Sequence, residues 1–345
     1  MDFDSLYARH APELEDFWGR RENDAIATRD FEVFGHCVRL ASNQASVLGA
    51  AEYSAPMYSI APAVDAPPLL IRLVVRPMPQ PPGPLPHNLF SHIQYTGADD
   101  WLALQLGAWG HCQVDLAAGR ALAVLSPELA AEPEVISRCL LNTLLNNFLT
   151  ARGLSMLHAT CLARDAGQRV LLLIAPHGTG KSTTALRLAL AGYPLMSDSQ
   201  VYVSQQPDGL RLTGFPVGRV RLRRDMLPDF PSLHALLAPE EVRGETKFTV
   251  DLRRVDAALV RETAVTPEQV DLCLLTRATT AGTTLRPATR AEVMDVAMQN
   301  SLHYDRAEAW RANVAGIERL VDMARWFHLT VGRDVNSLLD VVSGL

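Results

Sequence analysis

Lysine is almost missing from this chain of 345 residues. Of its 32 basic residues only Lys181 and Lys247 are lysine, and the other 30 are arginine. In a chain so biased toward the planar guanidinium, a lysine stands by chance or where a compact, slender ammonium is needed. Cysteine is scarce too. Cys37, Cys112, Cys139, Cys161 and Cys273 occur without a CxxC, which excludes a disulfide framework or a zinc ribbon and fits a reducing, cytoplasmic setting. Gly35-His36-Cys37 and Gly110-His111-Cys112 repeat a tripeptide of two zinc-ligating types, but spacing this loose reads as coincidence within two strands. No apolar run reaches the roughly 18 residues of a membrane-spanning helix. The opening MDFDSLYARHAPELEDFW is acidic and polar, unlike a signal or transit peptide. Positive charge is not in excess either: 32 basic residues face 38 acidic ones, a net charge of -6. That argues against a nucleic-acid partner or a polybasic membrane-surface protein.

What is present is ordinary globular material. Hydrophobic residues make up 48% and charged residues 20%, enough to exclude wholesale disorder. At about 150 residues per domain the length predicts two domains. The expected division is a β-rich module over residues 1–130 and a second unit over 131–345. Asp4 to Trp18 reads as a short helical lead-in. FEVFGHCVRLAS alternates in strand fashion, and LLIRLVVRP is a strand ending at Pro77. Prolines then crowd residues 77–86. Proline lacks an amide donor and fixes φ, so this stretch is an extended surface loop, more naturally a rigid connector than a ligand for a partner domain. WGHCQVDLAAGRALAVLS gives two strands joined at Ala118-Gly119. Pro133 to Gly153 is a helix punctuated by Pro at its start and Gly at its end, with Ile136, Leu140, Leu144 and Phe148 on its core face.

The strongest signal lies in RVLLLIAPHGTGKSTTALRLALAG, residues 169–192. Val170 to Ile174 is a continuous apolar strand, APHGTGKS follows, and Ser182 to Leu190 carries a helical pattern stopped by Gly192. This is the strand–loop–helix context of a GxxxxGK[ST] phosphate loop. Gly178 and Gly180 let successive amides turn toward phosphate oxygens, and the helix N-terminus adds positive charge. The candidate nucleotide-binding residues are Pro176, His177, Gly178, Thr179, Gly180, Lys181, Ser182 and Thr183. Lys181 would bridge the β- and γ-phosphates, with the Ser182 hydroxyl on Mg²⁺. The first glycine of the motif is Ala175 here, so that residue must hold an ordinary backbone conformation. His177 faces either a γ-phosphate or solvent.

After the loop the pattern departs from an alternating α/β protein. Pro194 to Asp198 is a short strand ending in a carboxylate, and VYVSQQPDGLRLTGFP reads as a hairpin around Pro207-Asp208-Gly209. FTVDL and VDLCLLTR add strands, which predicts a mixed, largely antiparallel sheet rather than a doubly wound one. The C-terminal third reads as helices Thr289–Leu302 and Ala307–Arg325, strand Phe327–Val331, then helix Asp334–Val342, with Trp310, Trp326 and Phe327 as core aromatics.

LHATCLA followed by VLLLIAPHGTGKSTTALRLALAGYPLMSDSQVYV resembles the HPr kinase/phosphorylase family and its kinase-like relatives, whose catalytic domain resembles that of phosphoenolpyruvate carboxykinases. His158, Gly178, Gly180, Lys181, Ser182, Gly192 and Asp198 occupy the family's motif positions, over about residues 154–205. GFPVGRVRL and the C-terminal RWFHLTVGRDVNSLLDVV resemble the kinase-like branch. The second acid of the family's Asp-Asp pair is Ser199 here, and its Glu after GKS is Thr183. The resemblance implies an α/β fold of α+β character, with ATP and Mg²⁺ as cofactors. It further implies phosphoryl transfer to a hydroxyl of a protein, a peptide or a small molecule, with self-association possible. Asp198 is then magnesium ligand or general base, and His158 orients that carboxylate or the acceptor, or is simply packed. A nucleotide-sensing module without turnover remains the alternative, since one carboxylate stands where the family has two.

Lys247, in RGETKFTVDL, either reaches the phosphates from a second loop or is a surface lysine. In GRVRLRR a strand places Arg219, Arg221 and Arg223 on one face. That face suits an acidic or phosphorylated partner, or is merely solvated.

Overall fold

Side chains along His36–Ser42 alternate between buried and exposed, the period-2 signature of a strand packed on one face. That strand (β2) pairs with β1 (Ala27–Val33) through a turn whose Phe34 and Gly35 both have positive φ. In the computed structural model, residues 26–54, 66–80, 82–86, 89–242, 245–301 and 307–345 are described. The helical lead-in expected at Asp4–Trp18 lies outside them. β3 (Leu69–Val75), β4 (Ile93–Ala98), β5 (Trp101–Leu106), β6 (Gly110–Asp115) and β7 (Arg120–Leu125) complete a seven-stranded sheet of order β1-β2-β3-β7-β6-β5-β4. The described part of the proline-rich stretch forms neither helix nor strand, and the Trp109 indole donates to the Gly83 carbonyl at 2.9 Å.

The segment from Pro133 to Ala151 packs onto this first sheet. Ile136, Leu140, Leu144 and Phe148 lie in one apolar core with Leu40, Ile71 and Leu125. A single long helix was the expectation. Instead two α-helical stretches, Pro133–Ile136 and Asn142–Ala151, flank a π-helical turn at Ser137–Leu141. A π-turn widens the helix locally and re-aims its side chains; here it carries Arg138.

The second sheet is mixed. It takes the order β12-β11-β9-β10-β16-β18-β17, with β8 (Ser155–Leu157) on β11. Its members are β9 (Thr160–Arg164), β10 (Arg169–Ile174), β11 (Leu195–Gln206), β12 (Gly209–Val217), β16 (Gln269–Arg277), β17 (Thr284–Pro287) and β18 (Ala324–Val331). Only β10–β16 and β16–β18 are parallel; the remaining pairings are antiparallel. The apolar run of β10 is explained by burial on both faces. Leu171 and Leu173 pack with the helix Lys181–Leu190 and the helix Val335–Ser343. Val170, Leu172 and Ile174 pack with helices Arg290–Gln299 and Ala307–Met323. No described helix is long and apolar enough to cross a membrane.

Two corrections concern detail, and one reading stands: the two His-Cys tripeptides lie on separate strands, β2 and β6. The strand ending in Asp198 and the first arm of the hairpin are one continuous strand, β11. Trp310, Trp326 and Phe327 are half-buried at the margins rather than fully in the core. No cluster of three metal-ligating His, Cys, Asp or Glu occurs among the described residues. A small third sheet, β13 (Arg219–Arg223), β14 (Ala238–Val242) and β15 (Glu245–Asp251), runs in the order β13-β15-β14.

The two large sheets are joined through β11. Tyr202, fully buried, lies in the core of the first sheet, packs on Phe34 at a ring distance of 5.2 Å and hydrogen-bonds Asn146. The strand that carries Asp198 is therefore anchored in both packing units.

Candidate functional site

The loop between β10 and its following helix turns on two glycines. Gly178 has φ +80° and Gly180 +107°, backbone that L side chains rarely adopt. Ala175 keeps an ordinary conformation, as its side chain requires. Thr179 Oγ1 donates to the Pro176 carbonyl at 2.8 Å and stiffens the loop from within. Lys181 opens the helix yet is buried. Its ammonium donates to the Ala175 carbonyl and lies 3.4 Å from that of Pro176. Burial lowers its pKa from the ordinary lysine value, with the Asp198 carboxylate acting in the opposite direction.

Asp198 reaches the loop because β11 is irregular. Its pairing with β12 shifts between Ser197 and Gln200, and Ser197 Oγ accepts from the amides of Ser199 at 3.0 Å and Gln200 at 3.2 Å. Bulges of this kind re-aim side chains beside functional sites. Gly214 on β12 makes room for it, since a Cβ there would lie 2.6 Å from the Met196 carbonyl oxygen. Asp198 accepts a 3.0 Å hydrogen bond from Thr160 Oγ1 and another from the Ser182 hydroxyl. Burial pushes its carboxyl up to about 6, against those two hydrogen bonds and the charges of Lys181 and Arg221. A carboxylate with that value is largely ionised at neutral pH and still accepts a proton readily.

One cavity of about 840 Å³ gathers these groups. The candidate site residues line it: His158, Pro176, His177, Gly178, Thr179, Gly180, Lys181, Ser182, Thr183, Asp198 and Lys247, whereas the motif glycine Gly192 does not. The chain's two lysines thus share one cavity. His158 sits with its ring 5.2 Å from that of His177, and its backbone amide donates to the Asn300 carbonyl. Thr160 and Ser182 supply hydrogen bonds to Asp198. Ser199 also lines the cavity, so the second-acid position offers only a hydroxyl. A second cavity of about 740 Å³ adjoins the first through Gly180, Thr183 and Arg277 and has Met226, Phe230 and Val331 in its walls.

Sequence reading missed Thr160, Arg277 and Glu240. Arg277 ends β16, the parallel neighbour of the loop strand, and a Cβ on Gly180 would touch its side chain at 3.4 Å. A charged residue closing the apolar run VDLCLLTR was the available signal. Glu240 had none, because its partners arrive from three distant segments. Its buried carboxylate accepts from Arg221 Nε and a terminal nitrogen, both at 3.1 Å, from Arg219 at 3.2 Å and from Thr249 at 2.7 Å. Arg138, on the π-turn, stands 3.5 Å away. Burial alone would raise the Glu240 pKa; Arg221, Arg219 and the Thr249 hydroxyl hold it at about 2. Stability from this group is complete above the ordinary carboxylate range and is lost as pH falls toward 2. Glu240→Gln leaves the guanidinium groups uncompensated and is expected to cost about 3 kcal/mol, read by urea unfolding at pH 7.

For Mg²⁺ the donor set fits. Ser182 and Asp198 offer a hydroxyl and a carboxylate oxygen side by side, and magnesium ordinarily completes its shell with phosphate oxygens and water.

No family model matches the chain, and no curated protein matches it. Among solved structures it is similar to the HPr(Ser) kinase/phosphatase from Coxiella burnetii, at 13% identity and a TM-score of 0.30, over 55% of this chain and 95% of that chain.

Proposed function

We propose that this chain is an ATP-dependent kinase that transfers the γ-phosphate to a hydroxyl, foremost a serine of a protein or ribosomal peptide. The observation that carries the reading is the convergence of the glycine loop, Lys181, Ser182 and Asp198 in one cavity. In this reading the amides at Gly178 and Gly180 and the Lys181 ammonium hold the β- and γ-phosphates. The nucleoside extends into the adjoining cavity past Arg277, against Met226 and Phe230. Magnesium, when bound, neutralises phosphate charge from the side of Ser182 and Asp198.

Asp198 accepts the proton of the acceptor hydroxyl as its oxygen bonds to the γ-phosphorus. The bond from that phosphorus to the bridging oxygen breaks, and ADP leaves. Thr160 keeps the carboxylate aimed, and Lys181 steadies the charge on the transferring group. With Ser199 in the second-acid position, one carboxylate must serve both metal and proton. That observation favours a second reading, a nucleotide-sensing module without turnover. Labelled ATP with Mg²⁺ and candidate serine peptides or hydroxyl metabolites decides between them. The kinase reading expects a labelled, acid-stable phosphoester and its loss in Asp198→Asn. Tight nucleotide binding with no labelled acceptor supports the sensor instead.

A further inference from the structure

The wall facing the phosphate loop is cationic for a reason the loop does not supply. The main cavity is lined by six cationic side chains, Lys181, Arg219, Arg221, Arg223, Lys247 and Arg277, against three carboxylates, Asp198, Asp225 and Glu245. Lys181 belongs to the loop, and Arg277 stands over Gly180 beside it. The other four come from the third sheet. On β13 the residues at 219, 221 and 223 share one face, and Arg223 pairs in register with Lys247 on β15.

This wall is built rather than merely exposed. Behind it Glu240, with a side chain only 6% exposed, takes both Nε and one terminal nitrogen of Arg221 and so fixes the plane of its guanidinium. The other terminal nitrogen of Arg221 makes no hydrogen bond among the described residues, and neither does the Lys247 ammonium. Arg223, held by Glu245 at 3.0 Å, stands at the rim. Arg221 is close enough to Asp198 to lower the carboxyl's pKa. In the same cavity lining, Gln200 Oε1 is buried without a donor among the described residues. Buried acceptors ordinarily have a partner, and a ligand carrying an O–H or N–H would supply one here.

We infer that Arg221, Arg223 and Lys247 form a subsite for an anionic group on the acceptor, so that the molecule phosphorylated is a hydroxyl compound already bearing a phosphate or carboxylate. The inference rests on the kinase reading for the word acceptor, but anion binding at the wall stands apart from it. An anion seated on Arg221 brings a neighbouring hydroxyl toward Asp198. The same chemistry belongs to a small phosphorylated or carboxylated metabolite and to a serine flanked by aspartates in a peptide.

Calorimetric titration of the full chain tests this in two stages. ADP with Mg²⁺ is titrated first, to fill the loop. O-phosphoserine, inorganic phosphate, succinate, and Asp-Ser-Asp against Asn-Ser-Asn peptides are then titrated into the loaded protein. At least one anionic probe is expected to bind where serine and the Asn-Ser-Asn peptide do not. Binding of phosphoserine or succinate points to the metabolite source, and of Asp-Ser-Asp alone to the peptide source. The rim variant Arg223→Gln/Lys247→Gln should weaken that binding about tenfold while ADP affinity stays within about twofold. Arg221→Gln should weaken it further, with its melting temperature recorded because the change also disturbs Glu240. The proposal is overturned if no anion binds the loaded protein. It is equally overturned if binding survives in both variants, or if ADP affinity falls in parallel, which would give the wall to the nucleotide. Failure of ADP to bind the unaltered protein removes the kinase reading instead. The anion titration on unloaded protein, with the same variants, then still decides the subsite.

Discussion

Lys181→Met is expected to lower phosphoryl transfer about 10²–10³-fold, the loss that follows removal of a charge-stabilising donor from a preorganised site. The measurement is ATP turnover at saturating nucleotide, beside a binding titration that separates lost affinity from lost chemistry. Lys181→Arg should fail almost as completely. The ammonium sits buried between loop carbonyls, and a planar fork neither enters that space nor offers the same point charge. Neither failure should reflect unfolding. Burial disfavours the charged form of Lys181, so Lys181→Met removes a desolvated charge and its melting temperature is expected to hold or rise. A melting point well below that of the unaltered chain would contradict this account.

The second large effect belongs to Asp198→Asn. Transfer should fall about 10²–10⁴-fold, as loss of a positioned proton acceptor does, with ADP affinity retained. The same substitution is expected to stabilise the fold. The folded-state pKa of Asp198 is raised from 3.8 to about 6. Folding therefore favours its protonated form, and ionisation weakens the native state as pH rises above 3.8. An asparagine amide in its place cannot ionise, so the variant gains on the order of 2–3 kcal/mol at pH 8, and the gain shrinks toward zero as pH falls to about 4. Melting curves across that range check the sign. If Asp198 is the proton acceptor, the unaltered chain should lose activity on the acid side as that carboxyl is protonated, with bound Mg²⁺ drawing the limb below the metal-free value of about 6. A rate that does not fall at all on the acid side would remove Asp198 from the role of proton acceptor.

Local geometry was legible in the residues, and long-range packing was not. The strand–loop–helix turn could be read because strand, glycines and helix are contiguous, and the fixed length of the motif puts Lys181 at the helix start. Asp198 was readable as a strand-end carboxylate, although the bulge that aims it depends on Ser197 and on the absence of a Cβ at Gly214, contacts between strands. The scarcity of lysine pointed further than any motif, since Lys247 reaches the same cavity from a segment 66 residues downstream of Lys181. Alternation in GRVRLRR correctly placed three arginines on one face. It did not distinguish a solvated face from a cavity wall, because that depends on Glu240 and on Arg138. The helix beginning at Pro133 showed its apolar stripe plainly. Which sheet received the stripe was invisible, as both lie within reach of its ends.

The Tyr202 anchor limits how the gene can be cut or recombined. A fragment beginning after Gly153 would keep the loop, both lysines and Asp198. It would also bare Met156, Tyr202 and Phe215, which the first half covers, and it would drop Arg138 from beside Glu240. Grafting a foreign N-terminal half would meet the same difficulty, because the seam runs along the strand that carries Asp198. Inheritance of this chain as an unbroken unit is the expected outcome, and assays on it belong with the undivided protein.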